Sequence, residues 1–366
     1  MTVRRLGGLL ALVALAAAGP GAAARPAPPA TVGAVLSLSG AARAEGREQL
    51  DAIRLAVAQA NRSGRPLLRL AVVDDGSDPA RAAAAMRRLV DRRGAVVVLG
   101  PTLSQSALRA DPVAVRRRTP VVAVSNTADG VVGPWVWRDS LGLDVSVPAE
   151  IASVVQREAP ARAVVLGGRG DLLGAQEARA AQRAFARNGV AGLPAAGVAA
   201  AVAAEPDVVF VGASFSARAA ATIRALRRAG FHGTIVGGAA ALQLAGPTGR
   251  GVESGTAWFA GNAFAANVDF VRAYERAYRR PPDELAVQAY VGVQIVARAL
   301  AESGVSGPLP ARRARLEDAL GGVALWTAMG PIRFTPSHDV DQIVWIVRLD
   351  GRGRRRLVGF CVEGRC

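Results

Sequence analysis

The chain has 366 residues, more than one hydrophobic core usually supports, so two domains are expected. Its formal net charge is +16, and all 45 basic residues are arginine. These arginines are spread over predicted helix faces without interleaved aromatic residues. This pattern is typical of solvated surfaces, so no nucleic-acid partner is expected. Two histidines far apart in sequence and two C-terminal cysteines do not form the usual ligand set of a metal centre, so no metal is expected.

The first 24 residues have the features of an export signal. Arg4 and Arg5 form a charged start, and residues 6–18 are apolar but too few to span a membrane. Small residues at 22–24 offer a cleavage site ending at Ala24. We therefore expect export by the general route and no lipid anchor, because no cysteine lies near this site. No later stretch is both long and apolar enough to cross a membrane, so a soluble mature protein is expected.

Apolar strands alternate with helical segments through the first part of the mature chain. The strands are predicted at residues 31–38, 67–73, 94–100 and 119–125. This alternation indicates βαβ units and a parallel sheet buried on both faces. Ligands bind outside the carboxyl ends of such strands. The predicted binding surface is therefore the set of hydroxyls that follow them: Ser39, Ser104, Ser125 and Thr127.

The same alternation resumes later and indicates a second sheet. Strands are predicted at 163–166, 207–211 and 234–236, with helices at 172–187 and 217–229. Helices at 268–278 and 284–302 and strands at 332–334 and 342–349 complete the chain. In the first half, Asp78 followed by Pro79 predicts a helix start, with the aspartate as its cap.

Two motifs that suggest enzymes are incomplete. The run from Gly168 to Gly174 is a GxGxxxG after a strand, but residues 189–203 lack the acid that would bind a cofactor ribose. A tight turn is favoured there over a dinucleotide site. Ser214 stands in a sequence that superficially resembles a nucleophile elbow, but the following glycine and a suitably placed histidine are missing. Neither an enzyme nor a cofactor is expected.

Ser104 lies where a strand leads into a helix predicted at 107–118. Free backbone N–H groups and hydroxyls at a helix start suit a carboxylate. The serine could equally cap the helix, and both roles stay open. Trp135 and Trp137 are predicted on one strand face, where packing is favoured over stacking on a ligand.

Cys361 and Cys366 are close in sequence at the C-terminus. In an exported protein such a pair predicts a disulfide, and the short loop predicts a modest gain in stability.

Several stretches along the chain resemble the periplasmic solute-binding proteins of ABC transporters, in the branch that binds leucine, isoleucine, valine and related amino acids or amides. The matching stretches include GAVLSLSGAARAEG, LRLAVVDDGSDPARA, VVVLGPTLSQSA, TPVVAVSNTADG, RDSLGLD, PDVVFVGAS and MGPIRF. Each alone is weak, but they follow the order of the family over essentially the whole mature chain. The resemblance implies the type I periplasmic-binding-protein fold: two Rossmann-like α/β lobes joined by three hinge strands, with the ligand between them.

The resemblance also implies lobe boundaries. The N-lobe would comprise residues 31–142 and 261–330, and the C-lobe residues 143–260 and 331–366. The hinges would fall near residues 142–144, 259–261 and 329–332. The late helices would return to the first lobe and the late strands to the second.

Carried over by position, the carboxylate-binding serine of the family falls at Ser104. The loop that contacts carboxylate and ammonium falls on residues 125–129, with Thr127 at its centre. Late in this loop the family has threonine and this chain has Asp129, and Glu45 replaces an aromatic residue in the first loop. Asp129 could also simply cap a turn.

The second lobe departs further from the family. Its ammonium-binding acid would align near Ala239, so that charge is absent. The Tyr-Gly that closes the cleft becomes Leu173-Gly174, and an expected aromatic residue is Ser214 or Phe215. A buried ammonium without a carboxylate is costly. Either Asp129 or Glu45 therefore supplies the charge, or the ligand is not an α-amino acid. These departures favour a ligand other than leucine, isoleucine or valine.

The resemblance thus predicts a monomeric periplasmic protein that captures a small carboxylate-bearing solute and delivers it to the membrane permease of an ABC transporter. A clamshell that reports its ligand to a receptor is the first alternative. An NAD-dependent enzyme built on residues 168–174 is the second and the less favoured.

Overall fold

The computed structural model describes residues 29–63, 67–167, 170–214, 216–243, 247–362 and 365–366. The predicted export signal, Gly168 of the glycine motif and Phe215 lie outside the described residues. None of the helices within these ranges is long and apolar enough to cross a membrane.

The strands form one parallel sheet, one mixed sheet that is parallel except at β14 and β15, and one small antiparallel sheet. The strands are β1 (Ala30–Leu36), β2 (Leu68–Asp74), β3 (Val97–Leu99), β4 (Val121–Ala123), β5 (Val136–Arg138), β6 (Ala163–Gly167), β7 (Gly192–Pro194), β8 (Val208–Gly212), β9 (Thr234–Gly237), β10 (Val252–Thr256), β11 (Ala324–Thr327), β12 (Gly330–Phe334), β13 (Val340–Asp341), β14 (Val344–Leu349) and β15 (Arg355–Cys361). The first sheet has the order β2-β1-β3-β4-β5, and the second has the order β15-β14-β10-β9-β8-β6-β7.

Helices cover the sheets and connect their strands. They are α1 (Arg43–Arg62), α2 (Pro79–Arg87), α3 (Ser104–Arg116), α4 (Leu143–Glu158), α5 (Leu172–Arg187), α6 (Val198–Ala203), α7 (Ser216–Arg228), α8 (Ala265–Tyr278), α9 (Glu284–Ser303) and α10 (Leu309–Gly321). The α2 start is as predicted, because the Asp78 side chain accepts hydrogen bonds from the N–H groups of Ala80 and Arg81. The α3 helix begins three residues earlier than predicted, at Ser104.

The core strands are buried along their whole length, as the continuous apolar runs predicted. Every residue of β1, β3 and β4 is buried. The parallel strands of the two sheets share one arrangement. In the first sheet β2 lies at the edge beside β1, and in the second sheet β7 lies at the edge beside β6. This arrangement places a topological switch point between β1 and β3 and another between β6 and β8, where ligands bind in such folds.

The chain returns to each sheet after leaving it. Helix α9 packs along α1, and α10 packs against α9, so the late helices cover the first sheet. The late strands β14 and β15 extend the second sheet in antiparallel pairing. Strands β11, β12 and β13 pair only with one another among the described residues, so the strand predicted at 332–334 does not join the second sheet. The exact lobe boundaries stay a prediction.

Two packing details bear on the sequence analysis. The ring of Trp137 stacks on that of His338 with centroids 3.7 Å apart, and its Nε1–H donates to Glu317 Oε2 at 2.9 Å. Trp137 therefore packs inside the protein. At the C-terminus, the Sγ atoms of Cys361 and Cys366 lie at bonding distance, 2.06 Å apart.

Candidate functional site

A cleft lies between the carboxyl ends of the two parallel sheets, at both switch points. The space between its lining residues is about 1210 Å³, part of which is open solvent. We call the side formed by the first sheet and its helices the first wall; its polar members include Glu45, Thr102, Ser104, Gln105, Ser125 and Thr127. The side formed by the second sheet is the second wall; its members include Leu172, Leu173, Glu177, Ser214, Ser216 and Gly238.

The N-terminus of α3 forms the centre of the first wall. The first turn of an α-helix leaves its N–H groups without partners inside the helix, and Leu103 at the N-cap supplies no side-chain hydrogen bond to them. Ser104 does not cap the helix either, since its Oγ accepts only a long bond of 3.5 Å from the N–H of Ala128. The helix dipole and these N–H groups therefore favour an anion in front of Ser104 and Gln105.

Ser125 and Thr127 both line the cleft, but their hydroxyls differ. The Ser125 hydroxyl donates to the Thr102 carbonyl at 2.9 Å and accepts from Gln49 Nε2 at 2.7 Å. It therefore braces the first wall. The Thr127 hydroxyl makes no hydrogen bond within the described ranges, so it is available to a ligand together with that of Ser104.

Arg138, which is only 4% exposed, binds the backbone of the loop that contains Thr127. Its Nη1 donates to the carbonyls of Thr127 and Ala128 at 3.2 and 3.1 Å. Its Nε donates to Asp339 Oδ1 at 2.9 Å, and its Nη2 pairs with the second oxygen of the same carboxylate. The guanidinium thus fixes the position of a predicted ligand contact.

Glu177 on α5 is the principal acid of the second wall. Its Oε2 accepts from the N–H of Ala213 at 2.9 Å, and the side chain is 97% buried, with a relative exposure of 3%. A Cβ added to Gly238 would lie only 2.1 Å from Glu177 Oε1, so a side chain at position 238 would collide with this carboxyl group. Burial raises the pKa of Glu177 to about 8, against the lowering effect of the Ala213 N–H.

Leu173 and Ser214 line the second wall, and their role as ligand contacts stays a prediction. Leu173 packs against core residues of both sheets, so it bridges the two walls. The Ser214 hydroxyl donates to Asp171, which also accepts from the N–H groups of Ser214 and Gly174 at 2.9 Å. The end of the glycine motif therefore serves a helix cap and a close packing contact: a Cβ on Gly174 would stand 2.8 Å from the carbonyl oxygen of Gly212.

Two predicted ligand contacts lie outside the cleft. The Ser39 hydroxyl donates to Asp74 Oδ2 at 2.6 Å, and the Ser39 N–H donates to the other oxygen, so this serine orders its own loop. Asp129 is exposed beyond the cleft, and its N–H donates to Gln176 Oε1 on α5 at 3.2 Å. It contributes a contact between the walls, while its carboxylate does not line the cleft.

Three glutamates line the cleft: Glu45, Glu177 and Glu284. Glu284 is buried, and its Oε1 accepts from the N–H of Ala257 at 2.9 Å while its Oε2 has no partner within the described part of the chain. In that same part, no arginine, lysine or histidine lines the cleft, although the chain is strongly basic. No group of three or more potential metal ligands occurs among the described residues.

The sequence analysis missed Glu177 and Glu284. The sequence contains one indication for Glu177. It follows Gly174 by three residues, so the two residues lie on the same face of α5. Only the packing of α5 on β8 reveals that this face meets the cleft.

Comparison with known proteins is consistent with this architecture. A family model described as periplasmic binding protein matches residues 29–354. The chain belongs to this family. This confirms the predicted family and places the chain among solute-binding proteins. A search of curated protein sequences finds no match.

Solved structures share the fold of this periplasmic binding protein over nearly their whole length. A leucine-binding protein of Thermotoga maritima is 18% identical, with a TM-score of 0.80 over 91% of this chain and 99% of its own. A solute-binding protein of Rhodopseudomonas palustris in complex with benzoate is 21% identical, with a TM-score of 0.78 over 92% and 99%. The isoleucine complex of a branched-chain amino acid transporter substrate-binding protein from Streptococcus pneumoniae is 18% identical, with a TM-score of 0.76 over 91% and 99%. These matches confirm the predicted type I periplasmic-binding-protein fold.

Proposed function

We propose that this chain is an exported, monomeric periplasmic protein that binds a small carboxylate-bearing solute in the cleft and delivers it to the permease of an ABC transporter. One observation carries the proposal: the uncapped N-terminus of α3, with the hydroxyls of Ser104 and Thr127, faces the cleft. Such an array of donors suits a carboxylate. The complexes with isoleucine and with benzoate in similar proteins both contain a carboxylate, which supports the same class of solute.

The proposed mechanism is closure of two lobes, with the boundaries implied by the resemblance. A solute that contacts both walls stabilises the closed state over the open one and shifts the population toward it. Support comes from contacts that join the walls, namely Leu173 against both cores and Asp129 against Gln176. The permease would recognise the closed state.

The first test is a thermal-shift screen of amino acids, amides, aromatic acids and short organic acids, followed by calorimetry of the best ligand. The double variant Ser104→Ala/Thr127→Ala should weaken binding at least tenfold, because each hydrogen bond to a charged group contributes about 1.5–3 kcal/mol. Ser63→Ala is the matched control, since this exposed serine only donates to the carbonyl of Ala60 at the end of α1. Unchanged affinity in the double variant would remove the assigned carboxylate site.

Delivery needs a separate experiment. Uptake of the labelled solute should fall when the gene is deleted and recover with the wild-type chain but not with the double variant. Normal uptake in the deletion strain would contradict a transport role.

A further inference from the structure

The first two turns of α9 reach the cleft at the edge of the first sheet. A Cβ on Gly292 would lie 2.5 Å from Val124 Cγ1 and 3.7 Å from Leu99 Cδ2, so this part of the helix lies over the carboxyl ends of β4 and β3. Gln288 and Glu284 precede Gly292 by one and two helical turns, so all three residues lie on the same helix face. Both polar residues line the cleft.

Glu284 presents a hydrogen-bond acceptor that no donor satisfies among the described residues. The residue has a relative exposure of only 7%. Its Oε1 accepts from the N–H of Ala257 at 2.9 Å, whereas its Oε2 has no partner in the described part of the chain. Glu284 also lies in the first turn of α9, where the helix dipole favours a negative charge. A buried acceptor of this kind at a ligand cleft indicates a donor on the ligand.

The amide of Gln288 adds a donor beside this acceptor. The residue is only 4% exposed, yet its amide makes no hydrogen bond within the described ranges. Residues four apart on a helix are neighbours on its surface, so the amide lies next to the Glu284 carboxylate. A side-chain amide carries two N–H donors and one carbonyl acceptor. The pair can therefore accept from and donate to the same polar group of a solute.

A neutral carboxamide matches this pair better than an ammonium or a second carboxylate. Its N–H can donate to Glu284 Oε2 while its carbonyl oxygen accepts from Gln288 Nε2. An ammonium has no acceptor, so it would leave the Gln288 N–H groups unpaired. A carboxylate would bring a like charge next to Glu284. The negative charge of Glu284 is already stabilised by the Ala257 N–H and by the start of α9.

We propose that Glu284 and Gln288 form a second polar subsite, which selects a solute with a carboxamide distal to its carboxylate. This inference rests on the proposed function, in which the carboxylate lies in front of α3. Both subsites belong to the first wall, so the solute lies along this wall with its two polar ends bound. Leu172 and Leu173 of the second wall then cover its apolar middle.

The test compares solutes that differ only in the distal group. Succinamate is paired with levulinate, and glutaramate with 5-oxohexanoate, because in each pair a methyl group replaces the amide NH₂. In calorimetry at pH 7, the amide of one pair should bind at least about tenfold more tightly than its ketone, which leaves Glu284 Oε2 unpaired. The dicarboxylate and the ω-amino acid of the same chain length should also bind at least about tenfold more weakly than the amide.

Two variants separate the two contacts. Glu284→Gln removes the acceptor, so it should abolish the preference for the amide over the ketone. Gln288→Met removes the donor to the carbonyl oxygen that both solutes contain, so it should weaken both by a similar factor and keep the preference. Glu302→Gln, at the exposed far end of α9, is the matched control and should change neither affinity.

The comparison of solutes uses the wild-type protein, so it does not depend on the folding of a variant. Equal affinity for amide and ketone, or tighter binding of the ω-amino acid, would overturn the inference. If carboxylates without a carboxamide bind as well as those with one, and Ser104→Ala/Thr127→Ala weakens them, the proposed function stands and this inference fails. If no carboxylate binds the wild-type protein, both fail.

Discussion

Replacing Arg138 with methionine should destabilise the protein and loosen the Thr127 loop. The variant keeps the length of the side chain but removes its bonds to two backbone carbonyls and to Asp339, whose side chain is 16% exposed. Breaking one partner of a buried ion pair costs about 3–5 kcal/mol, because the other charge is left unpaired. We expect the free energy of unfolding, measured in urea at pH 7, to fall by this amount.

The effect on ligand affinity should be smaller than the effect on stability. Reordering a loop that is no longer fixed costs on the order of 1 kcal/mol, so affinity should weaken about fivefold to tenfold. Asp339→Asn in the Arg138→Met background should restore about 1–3 kcal/mol, since it removes the unpaired charge. The matched control is Arg298→Met, which loses only a surface pair with Glu302 and should cost less than about 1 kcal/mol. Strictly additive effects of the two core substitutions, with unchanged affinity, would refute the reasoning.

Three further predictions concern packing, titration and covalent structure. Gly174→Ala should lower the free energy of unfolding by about 1–3 kcal/mol, because the new Cβ would collide with the backbone of Gly212. The control Gly197→Ala places its Cβ in open space and should leave the free energy of unfolding nearly unchanged. Equal effects of the two substitutions would contradict the close packing of α5. Burial of Asp111, whose two carboxylate oxygens lack partners in the described part of the chain, raises the pKa of this group well above its usual value. The folded state therefore favours the protonated form of Asp111, so the free energy of unfolding falls by up to about 1.4 kcal/mol per pH unit above the pKa of the unfolded state. Asp111→Asn should be more stable than the wild type at pH 8, and the difference in the free energy of unfolding should narrow toward pH 5. Parallel curves of stability against pH would contradict this. Replacing Cys361 and Cys366 with serine should lower the free energy of unfolding by at most about 2 kcal/mol, because the disulfide closes only a short loop. Two free thiols found by alkylation and mass spectrometry in the unreduced exported protein would exclude the disulfide.

The sequence predicted the elements of the fold well where the pattern is local. The apolar runs of β1, β3 and β4 contain strands in which every residue is buried, and a capping aspartate before a proline marks the start of α2. Pairing between distant strands was harder to infer. The strand β12 pairs with its neighbours in sequence because antiparallel hairpins need only short turns, whereas the resemblance assigned this segment to the second lobe without naming its partner strands.

Strand ends predicted cleft residues on the first wall, whereas Leu173 and Ser214 on the second wall were predicted only from the resemblance. Ser104, Ser125 and Thr127 follow strands of a parallel sheet, so the topology itself brings them to the cleft. Glu177 and Glu284 are helix residues, and the side toward which a helix side chain points depends on how that helix packs. Ser39 does not line the cleft, and its hydroxyl donates to Asp74, a pairing that no spacing rule anticipates.

The positions of the tryptophans have an optical consequence. None of the five tryptophans of the chain, all of which the structure describes, lines the cleft. Trp137 is stacked on His338, and Trp326 stands 72% exposed with its ring edge against Phe264. A bound solute therefore has no indole to touch. A change in tryptophan emission on adding a non-aromatic solute would therefore report a rearrangement of the protein and not direct contact between the solute and an indole ring.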